Sequence, residues 1–186
     1  MAFSSLAEID NYMKENTCEF WEAVIREEAR DSQQPEMDIV NRMTQMYRAM
    51  KEADEAYDDT LTSHSGLSGK NGKKMADYAA THKCMCGEFG GAVMARAIKM
   101  AESNACMKRI VAAPTAGSCG VVPAILITYE RMTNTSENDM VKALFVAAGI
   151  GDVIARRASI SGARGGCQAE IGASSAMAAG APARLK

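Results

Sequence analysis

A mainly α fold is what this sequence predicts, and three observations carry it. Aromatic residues make up 5% of the 186 residues while Ala is abundant and Met reaches 14, a mix that favours helices over β-sandwiches and barrels. Apolar residues recur at helical spacing through most of the chain, with no alternation long enough for a sheet. An apolar fraction of 47% beside 24% charged residues supports a packed core rather than disorder. Charge is near balance, 21 Lys and Arg against 23 Asp and Glu, a formal net of −2. Without a basic surplus to neutralise phosphates, nucleic acid is not an expected partner.

Ser5-Leu-Ala-Glu8 has the form of a capping box and opens an amphipathic segment carried by Leu6, Ile9 and Met13, then Phe20, Trp21, Val24 and Ile25. Residues 31–35 form a polar break. Ile39, Met43, Met46, Met50, Ala53 and Tyr57 then follow at 4-3-4-3-4 spacing, a heptad stripe too short for a free coiled coil. It reads as a helix packed on its neighbours, or as an adaptable Met-rich partner surface. Ser63 to Lys74 is a loop by composition, either a flexible basic linker or a glycine-permissive active-site loop offering His64, Ser65 and Ser68. A phosphate-binding loop ending at Gly72-Lys73 is excluded, because Leu67 and Lys74 stand where Gly and Ser or Thr are needed.

From Met75 to about Cys106 the pattern is helical, with Val93, Met94, Ala97, Ile98 and Ala101 on one face and a break or close packing at Gly87, Gly90 and Gly91. Thr115 or Ser118 is placed to cap a helix from about Val121 to Met132. Ser136-Glu-Asn-Asp139 starts another, which contains or ends at Gly149 and Gly151. The expected organisation is a helical hairpin over 1–62 and a glycine- and alanine-rich helical region over 63–186, together one compact unit.

The N-terminus lacks a basic region followed by an apolar one, and the most apolar stretch, Ile110 to Tyr129, is interrupted by Pro114, Thr115, Ser118 and Pro123. A cytoplasmic protein with no membrane partner is therefore expected. Its six cysteines are then reduced thiols or metal ligands rather than disulfides.

Two small-residue stretches concentrate the possible chemistry. The first, Ala112 to Ala124, sets a Thr/Gly/Ser turn before a helix, whose free N–H groups and dipole suit a carboxylate. It reads equally as an ordinary capped helix. The second, Ser159 to Gly180, puts Cys167 behind Gly165-Gly166, where a helix-start thiolate suits metal binding or nucleophilic work. A lone cysteine is also a common small core residue. The spacing of Cys84-Met-Cys86 matches neither zinc nor the usual iron–sulfur runs, and His64 and His82 sit in no nucleophile-elbow context.

Glu102-Ser-Asn-Ala105 with Met107 to Ala124, and Ala158 to Ala179 about 50 residues later, closely resemble the alpha chain of iron–sulfur-dependent L-serine dehydratase (L-serine ammonia-lyase). The resemblance extends over essentially the whole chain and includes the Ser-Gly-Leu-Ser-Gly loop at Ser65 to Gly69. It implies a helical catalytic domain that turns L-serine into pyruvate and ammonia in amino-acid degradation, a step that supplies gluconeogenesis. It also implies a [4Fe–4S] cluster on three cysteines whose open iron takes the serine hydroxyl as a Lewis acid. Cys167 matches the first of those ligands. Cys119 is not carried over, since fused-chain relatives have Ala at its place. Thr115, Gly117 and Ser118 are the implied holders of the substrate carboxylate, with Asn104, Ser65 and Ser68 lining the pocket.

The family's alpha chain runs roughly 100 residues beyond its Gly-Gly-Cys-Gln motif and there supplies the other two ligands, whereas no cysteine follows Cys167 here. The cluster is accordingly expected to be incomplete or absent in this chain, and exposed apolar surface should make it an oligomer. The implied partner is the beta chain, which contributes a Ser-Ser-His-Thr-type loop absent here, so no catalytic base is assigned. The alternative is a non-catalytic truncated assembly subunit. A redox or zinc thiol protein using Cys84, Cys86 and Cys106 is a third reading.

Overall fold

The computed structural model describes residues 3–183 and 185. Among these there are eight α-helices and no strand. Ser5 caps α1 (Leu6–Asn16) by accepting the Glu8 N–H at 3.2 Å. The Glu8 carboxylate closes on Ser4, taking its N–H at 2.7 Å and its hydroxyl at 2.6 Å, one residue earlier than a capping box requires. α2 (Phe20–Ser32) ends at Gln33 in the left-handed region, and α3 (Glu36–Glu55) follows. The described residues up to 62 thus hold three helices rather than the two of a hairpin.

Contacts divide the chain along lines the sequence does not suggest. One compact unit takes residues up to Tyr47 together with those from Ser136 onward, and the other takes Arg48–Thr135. The 1–62 and 63–186 division fails to match because the last third of the chain returns to the first helices. There α7 (Glu137–Arg157) packs on α2 and on α8 (Gly162–Ala183), and α1 packs on α2. Ser136 caps α7 as expected, accepting the Asp139 N–H at 3.2 Å. Gly149 sits inside α7, where a Cβ would meet Val24 at 2.6 Å and Phe20 at 2.9 Å. Ile9, Ala23 and Val153 centre this unit's core, with Phe3, Tyr12, Met13, Cys18 and Phe20 around them.

The second unit is organised on α5 (Gly87–Ala105), which packs against α4 (Asn71–Ala79), α6 (Val121–Thr133) and a short 3-10 turn at Ala116–Ser118. The loop expected over 63–74 ends at Lys70, because α4 is capped from a distance. On α5 the residues that are buried are Gly91, Ala95, Met100, Glu102 and Ser103, not the stripe from Val93 to Ala101. Neighbours on two sides, rather than a single apolar face, decide what this helix buries. On α3, Ile39, Met50 and Ala53 are buried as the heptad predicts, while Met46 is 46% exposed and its neighbour Tyr47 is buried instead. A straight helix of 3.6 residues per turn drifts off a seven-residue repeat. No described helix is long and apolar enough to cross a membrane.

Candidate functional site

Thr115, in extended backbone (φ −125°, ψ 166°), opens the 3-10 turn that carries Gly117 and Ser118. Ser118 is 1% exposed, and its hydroxyl lies 3.1 Å from that of Thr115 and donates to Ala113 O at 3.4 Å. It therefore holds the turn shut from inside. Neither Ser118 nor Thr115 caps α6, whose N-cap is Gly120 with no side-chain acceptor. Gly117 is exposed and Thr115 half-buried, so these two form the outer edge of the turn. Asn104, at the end of α5, donates its side-chain N–H to Ala116 O at 3.0 Å. The structure thus brings Asn104, Thr115, Gly117 and Ser118 together around one turn.

Ser65 and Ser68 belong to a second loop of the same unit, closed by a residue the sequence reading missed. Ser63 N–H donates to Ser68 O at 2.7 Å, and the Ser63 hydroxyl accepts the Ser68 N–H at 3.1 Å and meets Ser65 Oγ at 3.2 Å. Ser65 and His64 are exposed, and Ser68 is half-buried. His82, also exposed, precedes α5.

The larger omission is Glu102, 4% exposed on α5. Its carboxylate accepts the Asn71 N–H at 2.7 Å, the Gly72 N–H at 3.0 Å and the Tyr57 hydroxyl at 2.8 Å. Burial, then the hydrogen bond to Glu102, pushes the Tyr57 phenol up to about 12. An acidic residue inside a Gly- and Ala-rich helical stretch, five residues before Met107, carries no local sign of burial. The one hint was its place in the quoted Glu-Ser-Asn motif.

Cys167 lies in the first unit and is exposed. Gly166, at φ +72° and ψ 177°, takes a backbone conformation open to glycine alone and splits α8 into two helical pieces. Cys167 therefore opens the second piece, the helix-start position expected for it. One turn on, Glu170 folds its carboxylate back over Gly162, within 2.7 Å of where a Cβ would stand. Cys119 is different in kind: it is 1% exposed, packs with Ala53, Met100 and Ile110, and burial pushes its thiol up to about 11. Cys86 is exposed at the N-cap of α5, and Cys84 and Cys106 are half-buried. Among the described residues no group of three His, Cys, Asp or Glu side chains could hold a metal ion. A [4Fe–4S] cluster on three thiolates does not fit the described residues by themselves: the two exposed thiols, Cys86 and Cys167, belong to different units, and no group of three ligands forms around either.

Clefts of about 280 Å³ in the first unit and about 380 Å³ in the second contain none of the candidate residues. The candidates sit on loops and at helix ends. These features define a helical protein that presents short, hydrogen-bonded Ser/Thr/Gly loops of the kind that surround a small polar ligand.

The family model described as serine dehydratase alpha chain matches residues 15–186. The probable L-serine dehydratase alpha chain of Bacillus subtilis (strain 168) is 35% identical over 179 residues, 96% of this chain and 60% of the relative. The L-serine dehydratase alpha chain of Peptoniphilus asaccharolyticus is 34% identical over 176 residues, 94% of this chain and 60% of the relative. An L-serine dehydratase of Helicobacter pylori (strain ATCC 700392 / 26695) is 40% identical over 123 residues, 63% of this chain and 23% of the relative. The chain belongs to the serine dehydratase alpha chain family. It spans about 60% of the length of the two alpha chains it matches.

Proposed function

We propose that this chain forms part of an L-serine dehydratase, a lyase converting L-serine to pyruvate and ammonia. Family membership over residues 15–186 is the observation that carries the reading. The geometry of the second unit supports it. Thr115 and the exposed backbone at Gly117 form the edge of a turn that Asn104 and Ser118 hold in place, an arrangement suited to a carboxylate. Ser65 and Ser68, on a loop closed by Ser63, would meet the polar side of the same amino acid. In this reading the chain's own residues bind and orient L-serine, and the proton is taken by a base outside the described residues.

Cys167 is read as one thiolate of a [4Fe–4S] cluster whose other ligands also lie outside the described residues. A beta chain is the expected partner, in a cytoplasmic oligomer, and the pyruvate formed would place the step in amino-acid degradation that supplies gluconeogenesis. The test is pyruvate formation from L-serine after anaerobic assembly with a beta chain. Thr115→Ala should raise KM about tenfold, the loss of one charge-assisted hydrogen bond. A folded, complete assembly that forms no pyruvate would overturn the reading in favour of a non-catalytic assembly subunit.

A further inference from the structure

Two residues apart at the C-terminal end of α5, Glu102 and Asn104 reach into different loops. Asn104 holds Ala116 O at 3.0 Å. Glu102 holds the start of α4, immediately after the loop bearing Ser65 and Ser68. That helix needs an outside acceptor: its N-cap, Lys70, lies at φ +67° and contributes no side-chain cap, so the first N–H groups would otherwise be orphaned. A carboxylate at a helix N-terminus is favoured both by the two amide donors and by the helix dipole. Gly72 makes the approach possible, because a Cβ there would stand 2.9 Å from the backbone nitrogen of Lys99.

Glu102 is also poorly suited to proton transfer. Both of its oxygens are engaged, Oε1 by Asn71 and Oε2 by Gly72 and Tyr57. Its work is to hold. Asn71 and Gly72 are the outlet of the Ser65–Ser68 loop, so the end of one helix fixes both loops that carry the candidate substrate groups.

We propose that Glu102 is a positioning residue of the amino-acid site, holding the Ser65–Ser68 loop through the Asn71 and Gly72 amides in register with the turn held by Asn104. This rests on the reading of both loops as substrate-binding. The pairing has a chemical consequence: the loop groups act on bound L-serine before and during reaction alike, so loosening them weakens binding more than turnover.

The experiment compares Glu102→Gln, Glu102→Asp and Tyr57→Phe in the chain assembled with the rest of its enzyme, with circular dichroism to confirm folding. Glu102→Gln sets an NH2 donor against an amide donor, and should raise KM for L-serine about tenfold with kcat changed by less than about threefold. Glu102→Asp keeps the charge and should recover most of that loss. Tyr57→Phe keeps both amide bonds and should change KM by less than about twofold. Amide exchange at Asn71 and Gly72 should accelerate in Glu102→Gln and stay slow in Tyr57→Phe. A fall in kcat and in thermal midpoint with KM unchanged would assign Glu102 a merely structural role and overturn the proposal alone. A wild-type assembly without turnover would overturn the functional reading, and the proposal with it.

Discussion

Residues 63–72 and 115–118 are each closed by internal hydrogen bonds, and each is tied to the same end of α5, one through Glu102 and the other through Asn104. The stretch from Ser159 to Glu170 is equally rich in glycine and serine, yet its hydrogen bonds run among Ser159, Ser161, Ala163, Arg164 and Gly165. Its thiol stands exposed at the start of a helical piece. Similar composition thus gives two different structures. In the second unit the loops are built by the chain itself, with buried partners that fix their geometry. Around Cys167 the chain provides a ligand and a glycine hinge at Gly166, and nothing among the described residues to complete a metal site.

Removing the buried carboxylate should break the contrast most severely. Glu102→Ala leaves three donors without their acceptor, and should lower stability to chemical denaturation by about 3 kcal/mol. Gly72→Ala forces a methyl group towards the Lys99 backbone and should cost about 2 kcal/mol in the same measurement. Asn104→Ala removes one partly exposed hydrogen bond, so a loss of about 1 kcal/mol is expected, with faster amide exchange confined to residues 115–118. A pH titration sharpens the picture further. Tyr57 has its folded-state pKa raised from 10.0 to about 12, so its neutral form is the one the fold favours. The stability it contributes is complete below pH 10 and is lost as pH rises towards 12. Tyr57→Phe should flatten that window.

The sequence makes much of this legible through local chemistry. Ser5 and Ser136 announce their helices because an N-cap acts within three residues. The Gly-, Ser- and Thr-rich turns stand out because backbone freedom is local too. Asn104, Thr115, Gly117 and Ser118 fall together because they bracket a short connection between α5 and α6. What stays hidden depends on distant partners. Glu102 caps a helix 30 residues earlier in the chain, so no window around it shows the need. Thr115 and Ser118 look like caps of α6 by position, but the 3-10 turn uses their hydroxyls first. The two-unit division escapes notice because the return of α7 to α2 is a tertiary pairing that composition does not encode.

The most direct test of the contrast is the iron and sulfide content of this chain after anaerobic reconstitution without any partner, with Cys167→Ser alongside. Thiols that form no group of three should hold no stable four-iron cluster, so absorbance from iron–sulfide charge transfer should disappear on gel filtration for both forms. About four irons per chain, surviving gel filtration and lost in Cys167→Ser, would contradict it.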